Sequence, residues 1–193
     1  MAVPSVALAY RRTALMNATK VTVKPPSPEV LKARDNFQDF CVLMGKAPAK
    51  HMLEWHTELC TGKDSECLLG IGGPNTAILA PRGSAKSTVL GLFAAWMIGR
   101  HTAAKKMLRI LYIAYMVDIS RAKSATIKGI LTSNKYREIF PMVRLSKIKR
   151  SDEYWSIDYD FAGIDTAGEE AFTIACGGLK GAITSKRSQL VLI

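Results

Sequence analysis

Apolar positions along the chain follow two spacings, which predict helices and strands. Apolar residues at helical spacing over 29–42, 51–60 and 120–131 predict three helices. Short apolar runs at 108–114 and 190–193, bounded by polar residues, predict buried strands. Strands that alternate with helices predict an α/β protein whose mainly parallel sheet is flanked by helices.

Weaker patterns fill the second half of the chain. Residues 134–140 predict another helical turn, and residues 154–159 and 171–175 predict short strands. The segment Arg144–Arg150 is strongly basic. It fits either a solvated surface loop or a contact to a polyanion.

The stretch around Lys86 is the one with a chemical signature. An apolar run over 77–80 is followed by a dense loop of small residues and then by the apolar run 89–98, an order that predicts strand, tight loop and helix. That context is the one a phosphate-binding loop requires. The residues predicted to form this loop and bind nucleotide are Pro81, Arg82, Gly83, Ser84, Ala85, Lys86, Ser87 and Thr88.

The loop predicts ATP and Mg²⁺ as cofactors. Backbone N–H groups before the helix can line an anion-sized cradle, and the helix N-terminus adds positive potential. Lys86 would reach the β- and γ-phosphates, Ser87 would ligate Mg²⁺, and Thr88 would assist at the helix start. The alternative is an ordinary strand–turn–helix with a capping serine and a solvated lysine.

Two alanines depart from the usual pattern of phosphate-binding loops. Ala80 and Ala85 occupy the positions where glycine is typical. Alanine is expected to keep a negative φ, so we expect a loop that differs in detail from the common form.

Charge narrows the class of partner. The 193 residues carry 27 Lys and Arg against 16 Asp and Glu, a net charge of +11. That surplus favours nucleic acid first and an acidic membrane surface second, with solubility alone as the alternative. No apolar run approaches the roughly 18–20 residues of a membrane span, so no membrane-spanning segment is expected. Of the two polyanions, nucleic acid is the expected partner and the membrane is not. The apolar residues 3–10 precede Arg11 and Arg12, the reverse of a signal peptide, which predicts an intracellular protein.

The cysteines do not predict a metal or redox site. No pair among the four has C-x-x-C spacing, and reduced thiols are expected. His51, His56, Cys60 and Cys67 lie close in sequence, but their spacing matches no familiar zinc motif.

Three segments in one order resemble the ATPase domain of the large terminase subunit of tailed phages, especially the DNA maturase type of short-tailed phages. They are residues 80–88, the strand 110–114, and residues 178–187 followed by 190–193. The resemblance covers residues 37–193 and implies a RecA-like P-loop NTPase fold. It also implies an Arg-Gly-x-[Gly/Ala]-Lys-Ser loop, in which alanine at position 85 is expected.

The family implies roles for individual residues. Lys86 would bind phosphate, Ser87 would ligate Mg²⁺, and Arg82 would sense or stabilise the γ-phosphate. Arg187 would act on the nucleotide of a neighbouring subunit in a ring, where its charge would stabilise the transition state; the alternative is a surface basic residue. The family's glutamine before the loop is replaced here by His51 and Met52.

The resemblance also implies the setting. The whole protein would hydrolyse ATP to move double-stranded DNA into a procapsid, as a homo-oligomeric ring with the portal protein and the small terminase subunit, in the host cell cytoplasm. Arg121–Lys128 and Arg144–Arg150 are candidate contacts to the DNA backbone. The alternatives are a helicase-like ATPase, or a non-catalytic nucleic-acid-binding module with a decayed loop.

The predicted organisation is a flexible arm over residues 1–28 and an ATPase domain over 29–193. In the family, the strand that corresponds to 190–193 is followed by two acids that complete the magnesium site, and then by a nuclease domain. The resemblance therefore implies an ATPase domain that is truncated before these acids. On this expectation the 193-residue chain itself binds nucleotide weakly and hydrolyses it barely.

Overall fold

The computed structural model describes residues 25–60, 79–168, 171–179 and 188–193. Residues 1–24 of the arm predicted over 1–28 lie outside the described residues, as do residues 77 and 78 of the predicted strand 77–80. Leu79 and Ala80, the part of that strand which is described, are not in a strand.

Helices flank the sheet on the described part of the chain. They are α1 (Pro28–Asp35), α2 (Phe37–Leu43), α3 (Leu53–Cys60), α4 (Lys86–Ala103), α5 (Val117–Thr132), α6 (Asn134–Ile139) and α7 (Tyr159–Ala162). A 3-10 turn at Lys50–Met52 precedes α3, and α4 follows the loop that the sequence predicts to bind phosphate.

Five strands form a mixed sheet. They are β1 (Ile110–Ala114), β2 (Leu145–Arg150), β3 (Tyr154–Ile157), β4 (Ile174–Gly178) and β5 (Leu190–Leu192). Their order in the sheet is β2–β3–β4–β1–β5. Strand β1 pairs in parallel with both β4 and β5, whereas β3 runs antiparallel to β4 and β2 runs antiparallel to β3. The α/β class with flanking helices is confirmed, but the sheet is mixed and a mainly parallel sheet is not confirmed. Two of its four described pairings are antiparallel, and the short connection between β2 and β3 is one that only antiparallel strands allow.

The main core lies between the sheet and α1, α2, α4, α5 and α6. Trp96 on α4 is buried and donates its indole N–H to the carbonyl of Ala33 on α1 (3.1 Å). Tyr136 on α6 is buried and donates to the carbonyl of Ala95 (2.8 Å). These bonds satisfy the polar ends of two large aromatic side chains, so α4 is held between α1 and α6.

The predicted helix over 29–42 is in fact two helices that meet at Asn36. Asn36 has an extended backbone (φ −120°, ψ 122°), and its side chain accepts the N–H of Asp39 at 3.0 Å. An asparagine at this position competes with helical hydrogen bonding and favours an N-cap, which overrides the continuous apolar spacing.

Most other elements lie where the pattern predicts them. The helices predicted over 51–60, 120–131 and 134–140 are present with small shifts at their ends. The strand predicted at 171–175 begins three residues further along the chain, at Ile174–Gly178. The basic segment Arg144–Arg150 forms strand β2 and not a loop.

Candidate phosphate-binding site

The loop before α4 turns tightly over residues 81–85 and leads directly into the helix. Gly83 has φ +83°, and Ala85 has φ +60° and ψ +18°. Both residues are therefore in the left-handed region, which glycine adopts freely and other residues rarely adopt. The prediction that Ala85 keeps a negative φ is wrong: the chain keeps the left-handed turn and accepts a Cβ there.

The start of α4 has no side-chain cap. Ala85 is the N-cap residue, and its carbonyl accepts the amides of Thr88 (2.9 Å) and Val89 (3.0 Å). The amides of the two residues before Thr88 have no partner within the helix, as at any helix start. The first turn of this 18-residue helix contains no acidic side chain. Its positive potential is therefore not offset locally, and an anion would be favoured there.

The Lys86 side chain folds back over the loop. Its ammonium donates to the carbonyl of Ala80 and to the carbonyl of Pro81 (2.9 Å), and it lies 3.5 Å from the hydroxyl of Ser84. Ser84 donates to the same Pro81 carbonyl at 2.8 Å. The cation is thus positioned at the loop, beside the helix start, by neutral carbonyl acceptors. In the part of the chain that the structure describes, Lys86 forms no ion pair.

The other loop residues are available to a ligand. Pro81, Arg82, Gly83, Ser87 and Thr88 are exposed, and Ser84 and Ala85 are partly exposed. The hydroxyl of Ser87 makes no hydrogen bond with any of the described residues, and a serine hydroxyl is a hard oxygen donor of the kind that Mg²⁺ prefers. The loop therefore fits both groups that the sequence implies, phosphate and magnesium.

We expect the loop to lie on the side of the molecule where the parallel strands end. Helix α4 ends at Ala103, only a short connection before β1 begins at Ile110, and a helix that packs along the strand that follows it has its first turn toward the carboxyl end of that strand. At that end Gly178 of β4 approaches the α5 start so closely that an added Cβ would lie 3.1 Å from the Val117 nitrogen. Ligands of open α/β sheets bind beyond the carboxyl ends of the strands.

Arg187 lies outside the described residues, so its predicted role stays a prediction. Two acids in the second half of the described chain have structural roles. Asp158 caps α7 by accepting the amide of Phe161 (3.0 Å), and Asp165 accepts the amide of Ala167 (2.8 Å).

The two basic segments differ in their charge balance. In the first, Arg121 pairs with Asp118 (3.0 Å) and Glu153 (2.5 Å), and Lys128 pairs with Asp152 (2.8 Å). The positive charge of Arg121–Lys128 is largely offset by these acids, which weakens it as a DNA contact. The second segment, Arg144–Arg150, contains no acid.

Two histidines are buried, a feature that the sequence pattern did not predict. His56 stacks on Phe37 with ring centroids 4.6 Å apart, and burial lowers its pKa. His101 lies in the last turn of α4, 2% exposed, and neither ring nitrogen has a partner among the described residues. Desolvation and the neighbouring charges of Lys106 and Arg100 lower the pKa of His101 to about 4. Both rings are therefore neutral parts of the core.

Comparison with known proteins gives no relative: no family model, no curated protein and no solved structure matches this chain. Within the described residues, no helix is both long enough and apolar enough to cross a membrane.

Proposed function

We propose that this protein binds ATP and Mg²⁺ at the loop 81–88 and acts as the ATPase subunit of a viral DNA-packaging motor of the large terminase type. The observation that carries the nucleotide part is the loop itself. A left-handed turn at Gly83 and Ala85 leads into the uncapped start of a long helix, and Lys86 is held over that turn. The DNA-packaging part rests on the sequence resemblance and on the net charge of +11.

Each residue has a role in this proposal. The amides at the helix start and the Lys86 ammonium bind the phosphates, and the exposed Ser87 hydroxyl ligates magnesium. Arg82, exposed in the loop, reaches the terminal phosphate. Bound magnesium would neutralise phosphate charge. A phosphate oxygen would replace the carbonyls of Ala80 and Pro81 as the acceptor of the Lys86 ammonium. It is a stronger acceptor than a carbonyl because it is charged.

The proposal predicts that Lys86→Ala weakens nucleotide binding by at least about tenfold, because hydrogen bonds to charged groups contribute about 1.5–3 kcal/mol. The measurement is calorimetric titration of the chain with a slowly hydrolysed ATP analogue and Mg²⁺. Lys147→Ala is the matched control, since Lys147 is exposed on β2 and belongs to another part of the molecule.

Lys147→Ala should leave the affinity unchanged. Equal affinity in the wild type and in Lys86→Ala would contradict the nucleotide site, and so would no detectable binding by the wild type. The second result would favour the non-catalytic nucleic-acid-binding module.

A further inference from the structure

A basic cleft opens between α5, α6 and the edge strand β2. Its volume is about 710 Å³, within the range of pockets that hold ligands. Five of the residues that line this cleft are cationic and none is acidic. The cations are Lys128, Arg137, Arg144, Lys149 and Arg150.

Only one of these five charges is offset by an acid among the described residues, since Lys128 pairs with Asp152. Lys149 donates to the carbonyl of Ala171 (2.8 Å) and Arg150 to the carbonyl of Ser146 (2.9 Å). Carbonyl acceptors hold these two side chains in place without cancelling their charge.

The remaining two arginines present free donors to the cleft. Arg137 is exposed on α6, and its side chain makes no ion pair or hydrogen bond with the described residues. Arg144 is exposed and its guanidinium stacks on Phe161, 3.7 Å from the ring centroid. Stacking uses the face of the guanidinium and leaves its in-plane N–H groups available, the geometry that suits a phosphate.

The floor of the cleft is apolar but offers no aromatic face. Trp155 is fully buried, and its indole N–H donates to the hydroxyl of Ser124 at 2.6 Å. Among the described residues it is the only aromatic one that lines the cleft. Proteins that bind single strands stack the bases on exposed aromatic rings, so this lining favours the phosphate backbone of a duplex.

We propose that this cleft binds the phosphate backbone of double-stranded DNA without reading its sequence. The inference rests on the proposed function in taking DNA as the partner, and it assigns the place of contact. The cleft follows β2 from Arg144 to Arg150, and Lys128 on α5 donates to the carbonyls of Arg150 and Ser151 in the β2–β3 turn (2.8 Å each).

The test compares two double variants of the full chain that remove the same amount of charge. Arg137→Gln with Arg144→Gln removes two cations of the cleft, whereas Lys135→Gln with Lys147→Gln removes two exposed cations from α6 and β2 that do not line it. Binding to a short labelled duplex is measured by fluorescence anisotropy over a series of salt concentrations.

We expect the cleft variant to bind at least about tenfold more weakly at low salt and to reduce the salt slope by about 2, because two cations no longer neutralise phosphates. The control variant should be affected much less. The double Arg→Lys variant should recover part of the affinity, because it restores the charge without the planar fork. If the double Gln variant fails to fold, Arg137→Glu alone serves, since the Arg137 side chain is exposed and bonds to none of the described residues.

Equal losses of affinity in the two double variants, or no loss in either, would overturn the cleft while leaving the proposed function standing. Binding of an acidic polypeptide that depends on the cleft, without duplex binding, would identify a protein partner instead and would overturn the inference. If the wild type binds no duplex, the inference and the DNA part of the proposed function both fail. The calorimetric titration of Lys86→Ala with nucleotide still tests the nucleotide-binding part of the proposed function.

Discussion

At the scale of single residues, Ala85 shows that the loop conformation is kept even where the usual residue is absent. A left-handed backbone costs an L-residue about 1–2 kcal/mol, a cost that glycine would avoid. Strain of this kind persists only where the surrounding structure fixes it, here between the Gly83 turn and the first turn of α4. Ala85 is such a strained residue, and it directly precedes Lys86 at the start of α4. This arrangement is consistent with a phosphate-binding loop.

His101 makes the stability of the protein depend on pH. Its pKa is about 4 in the folded protein and 6.5 as its ordinary value. Above pH 6.5 the ring is neutral in both states. As the pH falls from 6.5 to 4, the unfolded chain takes up a proton that the folded protein does not, and the folded state loses stability.

We therefore expect His101→Leu to be more stable than the wild type by a margin that grows as the solution is acidified. The pH-dependent part should be about 2 kcal/mol at about pH 5. Urea denaturation of both proteins between neutral pH and about pH 5 measures it. His51→Gln is the control, because His51 is exposed, and its curve should run parallel to the wild type. If the difference in unfolding free energy between His101→Leu and the wild type did not change with pH, the lowered pKa of His101 would be contradicted.

At the scale of elements, the position of α4 depends on a close contact of its backbone with the end of α6. Gly99 on α4 faces the ring of Phe140, the residue that follows α6, so closely that an added Cβ would collide with the ring atoms. Both residues are buried. The glycine is needed here for space and not for a special backbone angle.

Gly99→Ala should therefore destabilise the protein by about 1–3 kcal/mol, the usual cost of overpacking. Gly129→Ala is the matched control, because Gly129 is also helical but exposed, with nothing within 4 Å of the new Cβ. That change should stabilise the protein by up to about 1 kcal/mol, through helix propensity. Thermal and urea unfolding of both variants would show the opposite signs, and a loss of stability of similar size in both would contradict the close contact.

The pattern predicted elements best where a single period dominates. The long apolar run 89–98 and the strand at Ile110 were found because burial leaves continuous apolar sequence. The strand at Leu190 was found from its short apolar run, although Val191 is exposed. The break at Asn36 was missed, because one capping bond outweighs a continuous apolar spacing. Strand β2 was missed because an edge strand rich in Lys and Arg lacks the alternation of a half-buried strand.

At the scale of the whole molecule, the sequence predicts a candidate phosphate loop but could not predict the cleft. The loop is a contiguous motif, so residues 81–88 could be assigned from the order of the residues alone. The cleft joins Lys128, Arg137 and Arg144 from three parts of the chain, and their proximity arises only when α6 packs beside β2. The two antiparallel pairings were unpredicted for the same reason, since strand order depends on contacts between distant segments.

The cations of β2 also affect how copies of this protein behave in solution. Within the described sheet β2 pairs with β3 alone, and Ile148 on it is 91% exposed, so a second chain could add to its open edge. Lys147, Lys149 and Arg150 would then face the same charges on the other copy, and repulsion keeps the copies apart. Concentrated salt would weaken that repulsion, so purification at high ionic strength should favour precipitation.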